Sequence, residues 1–160
     1  MTECWTSSQG KTAWNQASSF TVGPLQNWGQ GSIAWNLGSD NQDGPHLSGS
    51  GACTTCRGLV TVDAASGTYT KQIDYYMLGQ YSRFMPRGAT VLSGTGSYTY
   101  DGGAGIQSVA TRNSDGTRTV VIENTFGNDV YITLGTKSGE TWSGLIRTKS
   151  VVTWLLPAVG

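Results

Sequence analysis

The hydrophobic period of this chain changes near residue 88, and that change limits it to a two-part architecture. Upstream, strand-like and helix-like stretches alternate; downstream, apolar residues recur at every second position in short runs bounded by turn residues. The second half predicts strands over Ala89–Leu92, Gly96–Tyr100, Ile106–Arg112, Thr117–Asn124, Val130–Leu134 and Ser150–Leu155. Asn113-Ser114-Asp115-Gly116 and Phe126-Gly127-Asn128-Asp129 read as hairpin turns, since both supply residues that tolerate positive φ. Short strands at this spacing make an antiparallel β-sandwich, or part of one, over residues 89–160.

Residues 1–88 follow different rules. Thr2–Trp5 closes a short apolar segment. Lys11–Trp28 places Trp14, Ala17, Phe20, Leu25 and Trp28 at helical spacing, with Gly23-Pro24 as a kink. Ser32–Leu37 reads as a buried strand and Gln42–Gly58 as a long loop of the kind that carries function. Leu59–Asp63 and Thr68–Lys71 read as a hairpin across Ala64–Gly67. Asp74 is then expected to cap a helix that runs through Phe84, buries Tyr76, Met77, part of Gln80 and Tyr81, and stops before Pro86. Strand, helix, strand, loop, helix is the unit of an α/β barrel, but a (β/α)8 domain takes roughly 250 residues and two strands cannot close one. Residues 1–88 are thus expected to be the last quarter of a TIM barrel, with the N-terminal part of the barrel outside the chain. Alone, Ser32–Leu37 would expose faces it was built to bury.

Charge narrows the partners. Ten basic and ten acidic residues are spread singly in a chain that is only 12% charged, with zero formal net charge. Nothing there attracts nucleic acid or an anionic membrane surface. Nor does any apolar run approach the ~20 residues of a membrane-spanning helix; the best, Val151–Val159, is interrupted by Thr153 and Pro157. Met1 does not precede a basic region and an apolar segment, so no secretory signal is expected within the chain. Six tryptophans and seven tyrosines against so little charge suit an uncharged sugar, whose C–H faces stack on rings.

The three cysteines are Cys4, Cys53 and Cys56. The Cys-Thr-Thr-Cys spacing in a Gly/Ser-rich loop favours a short-loop disulfide between Cys53 and Cys56. Cys4, His46, Cys53 and Cys56 together also have the composition of a Cys3His zinc centre, but Cys4 stands alone where a second close ligand pair is usual. No metal or cofactor is therefore expected. His46, the sole histidine, follows Gly44-Pro45 in a loop, suiting a solvent-exposed or substrate-edge position.

Several stretches together resemble the C-terminal end of glycoside hydrolase family 30, which contains glucosylceramidases and endo-β-1,6-glucanases. Met1-Thr2-Glu3-Cys4 is similar to the end of the family's nucleophile-bearing strand, and Trp35-Asn36-Leu37 to its eighth strand. Tyr75-Tyr76-Met77-Leu78-Gly79-Gln80-Tyr81-Ser82-Arg83-Phe84, followed by Met85-Pro86-Arg87-Gly88, is similar to its last helix. Arg118–Asn124 and Ser150–Leu155 are similar to its terminal β domain.

The resemblance implies a retaining β-glycosidase. Such enzymes use two carboxyl groups ~5–5.5 Å apart, one a nucleophile and the other an acid/base. Glu3 would be the nucleophile. The acid/base of the family sits in an Asn-Glu-Pro type motif, and no Asn-Glu pair occurs here; Glu123 in Ile122-Glu123-Asn124 belongs to the β domain. Trp35, at the top of a barrel strand, would floor a sugar subsite, with Trp5, Asn36 and His46 as further substrate contacts. Asp40 and Asp43 read as turn residues bonding local backbone.

The expected protein is thus a secreted, extracellular retaining β-glycosidase represented by a fragment, acting on a β-glucan or a glucosylated lipid. The endo-β-1,6-glucanase branch stands ahead of glucosylceramidase, and the 160 residues alone are expected to be inactive. One rival is a non-catalytic carbohydrate-binding β module that uses Trp142 or Trp154. Another is a zinc-stabilised interaction module.

Overall fold

The computed structural model describes residues 6–7, 21–93, 97–99 and 105–159. Glu3, Cys4, Trp5 and most of Lys11–Trp28 lie outside the described residues, as do Gly96 and Tyr100. The chain forms two compact units, Met1–Ser82 and Arg83–Gly160. Within the second unit, the segment after the helix is tied to the strands: the Thr119 hydroxyl donates to the carbonyl of Phe84 at 2.6 Å.

In the first unit, β1 (Thr6–Ser7) pairs antiparallel with β3 (Cys56–Arg57). Residues 21–26 are helical, here α1. A second, mixed sheet runs β2-β4-β5: β2 (Gly38–Asp40) lies parallel to β4 (Val60–Asp63), which pairs antiparallel with β5 (Thr68–Lys71). The β4–β5 turn forms because Asp63 accepts from the backbone of Ala65 and Ser66 while Gly67 takes a φ of 67°. The unit ends with α2 (Ile73–Ser82).

Two expectations change here. The strand begins later than Ser32, with Ile33, Trp35 and Leu37 exposed rather than buried. Pairing starts where the returning chain first supplies donors, Leu59 N to the Asn36 carbonyl and Val60 N to that of Leu37. Asp74 is not a cap: it sits inside the first turn of α2, buried, and takes both Nε and Nη2 of Arg57 on one oxygen, at 3.2 and 2.7 Å. Tyr81 is buried as expected, but Tyr76 is exposed and meets Tyr75 edge to face.

The second unit carries β6 (Thr90–Val91), β7 (Ser97–Thr99), β8 (Gly105–Arg112), β9 (Arg118–Asn124), β10 (Val130–Gly135), β11 (Thr141–Ile146) and β12 (Ser150–Leu156). One sheet runs β12-β9-β8-β6, with β7 also on β8; β10 and β11 form a separate ribbon, and every pairing is antiparallel. Asn113–Gly116 is the expected β8–β9 hairpin turn, with Gly116 at φ 82°. Phe126–Asp129 is not a hairpin turn, because β9 and β10 belong to different sheets. That corner is held by Asn124. Its amide nitrogen donates to the carbonyls of Asn128, Ile146 and Arg147, each at 3.1 Å, and its oxygen accepts from Phe126 N at 2.9 Å.

Between the sheets, Ala110, Val120, Ile122, Ile146 and Leu156 form a buried cluster, with Ile132, Leu134, Trp142, Val152 and Trp154 packed against it. Gly144 leaves room for this: a Cβ there would lie 3.0 Å from the Trp154 ring. Trp142 and Trp154 are thus partly buried against this core.

Arg118 closes the end of this core. Its guanidinium lies 4.9 Å above the Trp142 ring, pairs with both Glu140 oxygens and donates twice to the Pro157 carbonyl. The Arg118 hydrogen bonds hold the Glu140 carboxyl below its ordinary value, with smaller help from Ser138 and Thr136. A carboxyl lowered in the folded state stabilises it above the unfolded value and loses that contribution as pH falls through the lowered one. Melting temperatures measured across the acid range should fall less steeply for Glu140→Gln than for the parent; identical slopes would contradict this.

Candidate functional site

The sequence-derived site residues within the described portion all belong to the first unit. Trp35 stands 49% exposed on the approach to β2, joined to Asn36 by a cis peptide bond. The Asn36 side-chain oxygen is buried and accepts no hydrogen bond among the described residues. It lies close to Gly58, where the long loop rejoins the sheet: a Cβ on Gly58 would sit 2.8 Å from that oxygen, 2.6 Å from Ser39 N and 2.7 Å from the Gly38 carbonyl carbon. Gly58 N in turn donates to the buried hydroxyl of Ser39. Close backbone approach is what demands glycine here. Gly58→Ala should cost about 1–3 kcal/mol, read as a lowered thermal midpoint; an unchanged midpoint would show that the contact is not tight.

From β2 the chain turns at once. Asp40 Oδ1 accepts from Gln42 N at 2.8 Å and Gly44 N at 2.7 Å, and Asp40 N donates to the Gly44 carbonyl. The Gly44 N–H, then that of Gln42, hold the Asp40 carboxyl below its usual range. A carboxylate so held stays ionised and organises a turn; it is not a proton donor at neutral pH. Asp43 takes a φ of 62° in the same turn. Pro45 follows through a cis bond, and His46 is exposed just beyond it.

The far end of the loop is tied down twice. Cys53 and Cys56 form a disulfide with a Cα–Cα distance of 5.5 Å. One residue on, Arg57 reaches Asp74 of α2. Two sulfurs joined to each other cannot serve as zinc thiolates, and no cluster of metal-ligating side chains occurs among the described residues. The structure thus places Trp35 and Asn36 just before β2, the Asp40 turn at its end, and Gly58, where the long loop returns, against the Asn36 side chain. It leaves Glu3 and Trp5 outside the described residues. Sequence reasoning missed Ser39, Gly58 and the Arg57–Asp74 pair. Cys-Arg-Gly at the loop's end was their one local signal, a buried cysteine, a cation and a glycine in succession.

No described helix is long and apolar enough to cross a membrane. Glu123 is buried in β9.

A family profile described as "Glycosyl hydrolase family 30 beta sandwich domain" matches residues 88–154. An endo-1,6-beta-D-glucanase of Neurospora crassa is 63% identical over 161 residues, covering 100% of this chain and 34% of that protein. The endo-1,6-beta-D-glucanase BGN16.3 of Trichoderma harzianum is 68% identical over 159 residues, covering 99% and 31%. The chain therefore spans about a third of the length of these curated relatives. Among solved structures, the endo-beta1,6-glucanase BT3312 superposes with a TM-score of 0.78 at 28% identity, covering 97% of this chain and 34% of that one.

Proposed function

The chain belongs to glycoside hydrolase family 30, as the C-terminal portion of such an enzyme, and on that premise we propose that the protein carrying it is a retaining endo-β-1,6-glucanase. Identity of 63–68% over essentially the whole chain to proteins named for that activity carries the reading. The substrate is then an uncharged β-glucan, in keeping with a chain of zero net charge. Glucosylated lipid is the alternative substrate of the same chemistry.

In this reading residues 1–88 complete a (β/α)8 barrel and present Glu3 at the cleft. The Glu3 carboxylate attacks the anomeric carbon as the glycosidic bond breaks, and a second carboxyl, supplied from outside these 160 residues, protonates the departing sugar oxygen. That second group then takes a proton from water, which displaces Glu3 and releases a sugar of unchanged anomeric configuration. Trp35 supplies a ring face for the sugar, Asn36 and Trp5 flank it, and His46 stands on the rim. The disulfide suits an oxidising, extracellular location.

The test is hydrolysis by the protein expressed from its full reading frame. A β-1,6-glucan should be cleaved to short oligosaccharides at a kcat/KM at least tenfold above that for β-1,3-glucan or a glucosylated lipid. Preference for the lipid would move the protein to the glucosylceramidase side, and no cleavage of any β-glucoside would refute the reading. In the same assay Trp35→Ala should raise KM about tenfold, the scale of one lost ring contact, with no change in thermal midpoint.

A further inference from the structure

We propose that the outward face of the β10–β11 ribbon is a binding surface for an uncharged glucan chain, centred on Tyr131. The inference rests on the reading that the protein acts on β-glucan, and adds to it a place on the second unit where the polymer is held.

The phase of the two strands fixes which side chains are available. Ile132, Leu134, Trp142 and Ile146 pack into the core, so the alternate set, Tyr131, Thr133, Ser143 and Leu145, turns outward. An outward face of a sandwich strand is expected to be polar. Here Tyr131 is 69% and Leu145 54% exposed, and the register sets them directly opposite each other. The next rung pairs Thr133 with Ser143, whose hydroxyls are 2.8 Å apart.

This makes an aromatic ring widened by an aliphatic neighbour, with two hydroxyls ~7 Å along the strands. A pyranose presents apolar C–H groups on its face and hydroxyls at its edge, and such a surface meets both. Charge agrees. Neither strand contains a charged residue, and the two charges that bracket the Tyr131 end, Asp129 before β10 and Arg147 after β11, are of opposite sign. A neutral ligand is the complement of a neutral face. Nothing on it is strained or buried, so its side chains can be changed without cost to the core.

Affinity electrophoresis of the full-length protein in gels with and without soluble β-1,6-glucan tests the proposal, alongside kinetics on the polymer and on a short soluble β-1,6-oligosaccharide. Tyr131→Ala should weaken retention about five- to tenfold and raise KM for the polymer to a similar degree. Kinetics on the oligosaccharide and the thermal midpoint should stay at parental values. Leu145→Asp, which brings a charge to the face, should do the same if Tyr131→Ala expresses poorly. Parental retention in both variants overturns the proposal, as does a parent protein that the glucan does not retard. Concentration-dependent self-association lost in Tyr131→Ala without any change in retention overturns it in favour of a protein contact. Failure to hydrolyse any β-glucan refutes the functional reading instead, since retention is read independently of turnover.

Discussion

Glu3→Gln, made in the protein expressed from its full reading frame, should lower turnover of β-1,6-glucan by about 10⁴-fold or more, the scale seen when a covalent nucleophile is removed. The amide keeps the size of the side chain but cannot form the glycosyl ester, so the first of the two displacements is lost. KM should change little, because the sugar contacts assigned to Trp35 and Asn36 remain. Asp40→Asn is the matched control. The Asp40 carboxylate is held by the backbone N–H groups of Gly44 and Gln42 in a turn, so its loss should cost less than tenfold. A comparable loss in both variants would mean that the Asp40 turn, not Glu3, governs activity.

The second large effect falls far from that chemistry. Asn124→Ala should destabilise the β-sandwich unit by about 3 kcal/mol, or roughly 6–12 °C in thermal midpoint for a chain of this size. Asn124 is fully buried and joins three carbonyls and one N–H at the place where the chain leaves one sheet for the other. Truncation leaves the buried Ile146 carbonyl and three part-buried backbone groups without their partner. Asn124→Asp should be worse, since a carboxylate would face carbonyl oxygens with no proton to offer. A thermal midpoint within about 1 °C of the parent for Asn124→Ala would show the corner to be held by its strands alone.

The second unit was legible through short runs of β-branched and apolar residues bounded by turn residues. Val120-Val121-Ile122 and Val151-Val152 mark β9 and β12, although all seven residues of β9 are buried and its burial does not alternate, and Asn113–Gly116 carries its own turn chemistry. β11 was not legible. It sends Gly144 inward to admit the Trp154 ring and Leu145 outward into solvent, inverting the pattern that would announce a strand. The β9–β10 corner was misread for a related reason: Gly127-Asn128 has hairpin residues, but which sheet the next strand joins is decided by tertiary packing around Asn124. In the first unit, β4 and β5 announce themselves through Asp63 and Gly67. The Arg57–Asp74 pair does not, because it links residues of β3 and α2 that only the fold brings together. Glu3 lies at the other extreme. Nothing in its local pattern distinguishes it, and its role comes from resemblance alone.

Covalent trapping tests the central claim most directly. The full-length protein is incubated with a 2-deoxy-2-fluoro-β-glucoside carrying a good leaving group, digested, and its peptides weighed and sequenced by mass spectrometry. The account predicts one fluoroglucosyl ester on the peptide containing Glu3, with activity lost in step with labelling. A label on any other carboxylate, or inactivation with no covalent adduct, would contradict it.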